Sequence, residues 1–213
     1  MLRNLHQKEK PFQMASRKNT VQAMIRLLDG TFKGEMWDQK RRPEDSLDSL
    51  MRTILSQNTT DQNRDKAYGI LRIKFPTWES VMRAPSLEVK EAIRIAGLSN
   101  QKGPTMQSFL RWLYSERGNL NLDFIADLSI EEAVQVLTRH RGIGIKTAYI
   151  VLAFSCNKDL CAVDTHVHRI LRRVGIIDER CGREKAHFEL APLIPAGKAR
   201  PFHANLVDFG KTV

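Results

Sequence analysis

Hydrophobic residues recur along this chain at the spacing of amphipathic helices. Within residues 43–57 the apolar side chains stand three or four positions apart on one helical face; they are Leu47, Leu50, Met51, Ile54 and Leu55. Residues 84–97 and 105–118 repeat this spacing, and both stretches end in a glycine, which is typical of a helix C-terminus. The alternating pattern of β-strands barely occurs, so the sequence predicts an all-α fold.

Polar residues at the expected helix starts support this interpretation. Asp45 or Ser46 precedes the first apolar face, and Ser129 with Glu132 forms the capping-box pattern. Residues 147–154 are almost entirely apolar, which predicts a helix buried in the centre of a bundle. We therefore expect about ten helices joined by short turns.

The charge of the chain favours a nucleic-acid partner. Its 34 Lys and Arg residues exceed its 24 Asp and Glu residues, which gives a net charge of +10. Charge alone is equally consistent with a basic protein that binds no nucleic acid. No apolar stretch approaches the roughly 20 residues that span a bilayer, and residues 1–20 predict a loosely docked arm and not a secretory signal. We expect no membrane association and a cytoplasmic location, nucleoid-associated if the source is prokaryotic.

A Gly-x-Gly turn lies between two predicted helices in RHRGIGIKTAYIVLAFS, residues 139–155. Gly142 and Gly144 allow positive φ angles and a close approach of another backbone. The N–H groups that open the second helix lack intrahelical partners and carry the positive end of its dipole, so a phosphate is their natural ligand. A tight turn with no ligand is the alternative, and the neighbouring Arg139 and Arg141 favour the phosphate.

Two ionisable residues near this turn are candidates for catalysis. Lys146 falls in the first turn of the apolar helix, where the dipole and partial burial favour the neutral amine that attacks carbon electrophiles. A lysine that only contacts phosphate is the alternative. Asp164 follows the apolar residues 161–163 and precedes a helix, where it either caps that helix or stabilises a cationic transition state. A nearby carboxylate raises the pKa of a lysine, whereas the helix dipole lowers it. The sequence alone does not decide which effect is larger.

Three segments together resemble the DNA glycosylases of the helix–hairpin–helix superfamily HhH-GPD, in particular the endonuclease III branch. They are GIGIKTA (142–148), VDTHVHRILRRVG (163–175) and ILSQNTTDQNRDKA (54–67), the last being similar to that branch's LLSAQATD. The resemblance implies two α-helical domains that flank a DNA cleft. One is a six-helix barrel with the hairpin, residues 40–158, and the other joins residues 1–39, an arm and a first helix, to the C-terminal helices of residues 159–213.

The activity implied by this resemblance is that of a bifunctional DNA glycosylase and AP lyase of base excision repair. Lys146 would attack C1′ of a flipped nucleotide, expel the damaged base and nick the strand by β-elimination, and the family's catalytic aspartate falls on Asp164. The expected partner is double-stranded DNA with a damaged or mismatched base, bound by a monomer, and the expected target is an oxidised pyrimidine. A monofunctional glycosylase for uracil or thymine mismatches and a non-catalytic DNA-binding protein are the alternatives.

Further residues are implied to bind DNA or an ion. The DNA-binding positions are Gln57, Asn58, Thr60, Arg141, Gly142, Ile143, Gly144, Thr147 and His166. The glutamine that fills the gap left by a flipped base in this family aligns with Asn58, and Gln57 directly precedes it, so both are candidates. The loop of residues 97–103 is a candidate wedge. A monovalent cation is implied at the backbone carbonyls of Arg139, Gly142 and Gly144.

The chain departs from the family pattern in two ways. His140 and Arg141 replace the usual Leu-Pro before the hairpin, which predicts a more polar and less rigid approach to it. Many relatives continue with four cysteines that bind a [4Fe–4S] cluster, whereas the three cysteines here, Cys156, Cys161 and Cys181, fit neither that pattern nor a zinc site. No cofactor is therefore expected within this chain, and a cluster is expected only if the protein continues past Val213. We expect His166 to be structural and His168 to lie on the surface or face DNA.

Overall fold

The computed structural model describes residues 11–32, 34 and 44–213, and this part of the chain folds into helices with no β-strand. The predicted all-α fold is confirmed. None of the helices in the described part combines the length and the hydropathy needed to cross a membrane.

Eleven α-helices are present in the described residues. They are α1 (Pro11–Thr31), α2 (Ser46–Leu55), α3 (Asp61–Lys74), α4 (Trp78–Arg83), α5 (Ser86–Ala92), α6 (Ser99–Arg117), α7 (Ile130–Thr138), α8 (Ile145–Phe154), α9 (Thr165–Arg173), α10 (Arg183–Leu190) and α11 (Ala199–Thr212). Short 3-10 turns lie at Arg94–Ala96, Asp123–Ala126 and Ala191–Leu193.

The helices divide into two compact units. The central unit is built from the chain between Arg42 and Lys158 and contains α2 to α8. The terminal unit combines α1 with the segment Asp159–Val213, which contains α9 to α11. The expectation of a loosely docked arm does not hold for residues 11–20, because they form the start of α1, and residues 1–10 lie outside the described residues.

Capping interactions within a few residues set several helix ends. Asp45 accepts a hydrogen bond from the backbone N–H of Asp48 at 2.8 Å. Ser129 and Glu132 form the predicted reciprocal capping box at the start of α7. Helix α6 ends at Gly118, whose backbone is left-handed with φ of 71°. The predicted caps are confirmed. They could be predicted because each joins residues that are close in the sequence.

Helix α8 is the buried helix that residues 147–154 predicted. It packs against α2 and α7, and its buried side chains are Thr147, Ala148, Tyr149, Val151, Leu152 and Ala153. The prediction of a central apolar helix is confirmed. Because α8 begins at Ile145, the packing that holds it also fixes the hairpin directly before it.

The core of the terminal unit joins α1 to the C-terminal helices. Val21 and Ile25 of α1 pack in one cluster with apolar residues of α9, α10 and α11. Helices α9 and α11 approach closely at Gly210, where an added Cβ would lie 2.6 Å from Cβ of His166. This contact leaves no room for any side chain at residue 210.

We predict that Gly210→Ala lowers the free energy of unfolding by about 1–3 kcal/mol, because the new methyl group forces α9 and α11 apart. The matched control is Gly69→Ala within α3, where an added Cβ meets no atom within 4 Å. That substitution should raise stability by about 0.5–1 kcal/mol through the lower entropy of the unfolded chain. Urea denaturation of both variants measures the difference, and equal effects would contradict the close helix contact.

Candidate active site and hairpin

The hairpin between α7 and α8 is held by a contact with α6. Gly142 has φ of +88°, a left-handed conformation that a side chain disfavours. A Cβ at this position would lie 2.4 Å from Oγ1 of Thr105, and that hydroxyl donates a hydrogen bond to the carbonyl of Arg141 at 3.3 Å. Ile143 is buried, and its N–H donates to the carbonyl of His140 at 3.1 Å. The turn therefore packs directly on α6 because Gly142 has no side chain.

Gln57, predicted to bind DNA, braces the hairpin from the end of α2. Its Nε2 donates to the carbonyl of Gly142 at 3.0 Å and to the buried Thr147 hydroxyl at 3.3 Å. The amide thus joins the loop after α2 to both the turn and the first turn of α8. Thr147, also predicted to bind DNA, is occupied in the same contact.

Asn58 differs from Gln57 in both exposure and bonding. It is exposed with φ of 49°, and its side chain forms no hydrogen bond within the described part of the chain. Of the two candidates for filling the gap of a flipped base, Gln57 is therefore engaged in the protein and Asn58 projects from a loop tip. Thr60 lies just beyond, where its hydroxyl caps α3 by accepting from the N–H of Asn63 at 3.2 Å.

Lys146 lies exposed in the first turn of α8, so the expected partial burial of its side chain is wrong. The buried side of this turn is taken by Thr147 and Ala148, which leaves Lys146 on the solvent side. Gly144 begins the helix in an extended conformation with no side-chain cap, and an added Cβ there would meet no atom within 4 Å. The opening N–H groups of α8 and the Lys146 amine are accessible at the same helix end.

The approach to the hairpin contains an aromatic stack that the sequence analysis missed. The His140 ring lies against Phe109 and Trp112, with ring centroids 4.9 Å and 4.4 Å apart. The Arg139 guanidinium stacks over Trp112 at 4.3 Å. Desolvation by these rings, aided by Arg139, lowers the pKa of His140. The His140 ring thus packs on aromatic side chains, and its Nε2 accepts a hydrogen bond from Nε of Arg139 at 3.4 Å. The lower rigidity expected of this approach stays a prediction.

Two of the three carbonyl groups predicted to bind a monovalent cation accept hydrogen bonds within the protein. Gly142 accepts from Gln57, and the carbonyl of Gly144 accepts from the N–H of Ala148 at 3.1 Å within α8. A cation at the carbonyls of Arg139, Gly142 and Gly144 would have to share two of them with these donors. Each of these oxygens has a second lone pair, so the cation site stays a prediction, and no step of the chemistry is routed through it.

Asp164 belongs to the terminal unit, whereas Lys146 belongs to the central unit. Asp164 is half-buried and caps α9, since its Oδ1 accepts from the N–H of Val167 at 2.8 Å. Its other carboxylate oxygen makes no hydrogen bond within the described residues. The cap orients one oxygen along the helix and leaves the second for other chemistry.

Two histidines that the sequence analysis missed hold the segment before Asp164. Nε2 of His187 accepts from the N–H of Val163 at 2.9 Å, and Nδ1 of His203 contacts the carbonyl of Ala162 at 2.9 Å. Both rings are buried. Neither histidine lies near Asp164 in the sequence, so no local pattern could identify them.

The histidines of α9 are both engaged in the terminal unit. His166 contacts the carbonyl of Gly210 through Nδ1 at 2.7 Å, as expected of a structural histidine, and the DNA contact that the resemblance implied stays a prediction. His168 contacts the carbonyl of Cys181 through Nε2 at 2.7 Å. It is half-buried, so the expectation of a surface or DNA-facing residue is wrong. His168 is half-buried because α9 packs against α10 and α11.

Comparison with known proteins assigns the chain to a family. Residues 51–196 match the family described as HhH-GPD superfamily base excision DNA repair protein. The chain belongs to the HhH-GPD superfamily. The resemblance stated from the hairpin and the flanking segments is therefore confirmed at this level.

Relatives of the superfamily member described here come from several organisms. A candidate DNA glycosylase of Arabidopsis thaliana is 37% identical over 168 residues, which cover 79% of this chain and 57% of the relative. Endonuclease III of Thermotoga maritima is 30% identical over 164 residues, which cover 77% of this chain and 72% of the relative. The chain therefore spans little more than half the length of the plant protein and about three quarters of the bacterial one.

Solved structures of the superfamily share the fold. A non-covalent complex of endonuclease III with DNA matches with a TM-score of 0.75 at 22% identity, covering 91% of this chain and 86% of that one. A thermostable thymine-DNA glycosylase matches with a TM-score of 0.67 at 22% identity, covering 92% and 87%. These likenesses show the endonuclease III-like architecture of the helices.

The [4Fe–4S] cluster found in many members of the superfamily has no ligand set in this part of the chain. Among the described residues, no three His, Cys, Asp or Glu side chains converge as a metal site. Cys156 contacts Ser46, Cys161 is buried, and Cys181 contacts Glu189. Burial raises the pKa of the Cys161 thiol, which opposes the thiolate that binds iron. The cysteines do not fit the cluster.

A matched pair of glycine substitutions tests the geometry of the hairpin. Gly142→Ala should lower the free energy of unfolding by about 1–3 kcal/mol, because the methyl group strains a left-handed residue and meets Thr105. Gly144→Ala should leave stability within about 0.5 kcal/mol, because its backbone is extended and its surroundings are open. Thermal denaturation of the two variants measures this, and a stable Gly142→Ala protein would contradict the packing on α6.

Proposed function

We propose that this protein is a bifunctional DNA glycosylase and AP lyase that removes a damaged base, an oxidised pyrimidine being the expected target, and then nicks the strand. The observation that carries the proposal is the exposed Lys146 amine at the uncapped start of α8, directly beside the Gly142–Gly144 turn. This arrangement offers a nucleophile and a phosphate site at one helix end. The family assignment gives the reaction class.

Binding of the DNA backbone follows from the hairpin. The opening N–H groups of α8 carry the positive end of the helix dipole, and Gly144 has no side chain that would keep a phosphate away. Arg139 and Arg141 are exposed beside the turn and add positive charge. Such contacts hold the duplex without reading its sequence and weaken as the salt concentration rises.

Extrusion of the damaged nucleotide needs side chains that replace it in the stack. Asn58 and Leu98 suit this role, because both are exposed on left-handed residues of the central unit. Leu98 is 42% exposed and lies in the predicted 97–103 wedge. We assign Asn58 to the void left by the base and Leu98 to the adjacent step of the stack. We call these two residues the duplex tips.

The chemistry assigned to Lys146 is attack on C1′ of the extruded nucleotide. The neutral amine forms a bond to C1′ while the C1′–N bond breaks, and the base leaves with that electron pair and takes up a proton. Opening of the deoxyribose ring gives a Schiff base between Lys146 and C1′. Removal of a proton from C2′ then expels the 3′ phosphate by β-elimination, and water releases the lysine.

Asp164 is the carboxylate we assign to this reaction. Its Oδ1 is fixed by the N–H of Val167, and the second oxygen remains for stabilising the cationic sugar or accepting a proton. The buried His187 and His203 hold the backbone that leads into it. This support is greater than a simple helix cap requires.

A monofunctional glycosylase is the second candidate, and one relative favours it. A thymine/uracil-DNA glycosylase of Methanothermobacter thermautotrophicus is 27% identical over 179 residues, which cover 81% of this chain and 76% of that protein. In that case water attacks C1′, Lys146 contacts phosphate, and no covalent intermediate forms.

Borohydride trapping distinguishes these two reactions. We expect the wild type to form a covalent adduct with duplexes that contain an abasic site or thymine glycol, and Lys146→Gln to form none, because borohydride links protein to DNA only by reducing a Schiff base between them. The control is Lys74→Gln at the exposed end of α3, where the lysine pairs with Glu88 at 3.1 Å and lies over the Phe75 ring at 5.5 Å. It should trap as the wild type does.

Two results of the same assay would contradict the bifunctional mechanism. If the wild type binds DNA but traps on no duplex, and uracil or thymine mismatches become abasic sites cleaved only by heat or alkali, the enzyme is monofunctional. If the DNA stays intact throughout, the protein only binds DNA.

A second prediction separates catalysis by Asp164 from its capping role. Asp164→Asn keeps an oxygen that caps α9 and should change stability by only a few tenths of a kcal/mol, because Asn and Asp cap equally well. Base excision should fall at least about a hundredfold, because the negative charge is lost. Asp164→Ala should lose activity and also about 1 kcal/mol of stability. Single-turnover excision with thermal denaturation measures both effects, and an active Asp164→Asn enzyme would limit Asp164 to capping.

A further inference from the structure

A lysine with no acidic partner is buried in the central unit. Lys102 of α6 is only 2% exposed, and it is among the largest fully buried side chains of the described residues. Its Nζ donates to the carbonyls of Leu55 and Ala96, both at 2.8 Å, and no salt bridge of Lys102 occurs within the described chain. Burial lowers the pKa of this amine. An apolar side chain at this position would avoid the cost of desolvating an amine. The presence of a lysine therefore needs an explanation, and its two hydrogen bonds supply one.

The two carbonyl groups stand at the ends of two helical segments. Leu55 is the last residue of α2, and Ala96 is the last residue of the 3-10 turn Arg94–Ala96. Carbonyls at such ends lack intrahelical partners and carry the negative end of the helix dipole. An ammonium group that bridges them therefore satisfies both and draws the two ends together.

Each of these ends leads directly into one of the duplex tips. The chain passes from Leu55 through a short turn to Asn58, and from Ala96 through Gly97 to Leu98. The backbone N–H of Lys102 also donates to the carbonyl of Leu98 at 2.9 Å. One residue thus contacts the base of both tips, which are otherwise separated in the sequence by α3, α4 and α5.

We propose that Lys102 is a positioning residue that sets the spacing between Asn58 and Leu98, so that both side chains can enter a duplex at one lesion. This inference rests on the proposed function, because it takes the tips to be the groups that replace the extruded nucleotide. Binding of intact duplex through the hairpin does not depend on this spacing. Recognition of a gap in the stack does depend on it.

The test compares Lys102→Met with a control that removes similar hydrogen bonds elsewhere on the same helix. Gln107 of α6 is 1% exposed, and its Nε2 donates to the carbonyls of Val81 and Ala84 at 2.9 Å and 2.8 Å. Gln107→Met therefore also leaves two buried carbonyls unpaired, but at the end of α4 and away from the tips. Both variants are compared at a temperature where circular dichroism shows them folded.

The measurements are duplex affinity and base stacking at the lesion. Fluorescence anisotropy gives the affinity for an intact duplex and for one with a reduced abasic-site analogue, and 2-aminopurine beside the analogue reports side-chain insertion as a rise in fluorescence. In Lys102→Met we expect the ratio of the affinities for abasic and intact duplex to fall about tenfold, and most of the fluorescence rise to disappear. The affinity for intact duplex should change less than about twofold. Gln107→Met should keep both signals.

Three results would overturn the role of Lys102, and only one of them would also overturn the assignment of Asn58 and Leu98. If Lys102→Met keeps the preference and the fluorescence rise, Lys102 has no positioning role and the proposed function stands. If Gln107→Met loses both signals equally, the effect of Lys102 is general stability. If the wild type itself shows no preference for the abasic duplex, the assignment of the tips fails and the role of Lys102 fails with it.

Discussion

The bare Cα of Gly142 is the constraint on which the candidate site depends. Its contact with Thr105 lets the turn lie directly on α6, and its carbonyl accepts the Gln57 amide from the end of α2. A turn that is fixed by two other helices presents the start of α8 in one orientation. The accessible N–H groups and the Lys146 amine then keep a constant relation to each other, which phosphate binding and nucleophilic attack both require.

Buried polar side chains bond to backbone groups in each of the two units. Lys102, Gln107, His187 and His203 each bond to backbone groups that helices and turns leave unpaired. Such groups are costly to bury without a partner, so each side chain stabilises one backbone arrangement over its alternatives. Asn58 and Leu98 are exposed, and Lys102 bonds to the backbone that leads into each of them. Asp164 is half-buried, and His187 and His203 bond to the backbone that precedes it. A fixed backbone before an exposed side chain suits the role proposed for Asn58 and Leu98.

The chain also shows how a departure from a family pattern is accommodated. A histidine stands where the family has an apolar residue before the hairpin, and its ring contacts both Phe109 and Trp112, with Arg139 stacked on the indole. The desolvation that lowers the pKa of His140 favours the uncharged ring, which packs on aromatic neighbours at little cost. A histidine at this position is therefore compatible with aromatic packing.

Local patterns were sufficient for the helices and for the family. The apolar spacing of α2, the capping box of α7 and the all-apolar α8 depend on neighbours in the sequence, and the hairpin glycines with the lysine form one short segment. Contacts between distant residues decided the rest. They placed Lys146 in solvent, turned Gln57 onto the hairpin and left the Asn58 side chain without a hydrogen bond in the described part of the chain. They also buried Lys102 between two helix ends and joined His168 to the carbonyl of Cys181. No pattern along the chain reports these outcomes, because the partner of each side chain is chosen by how the helices pack and not by its neighbours in sequence.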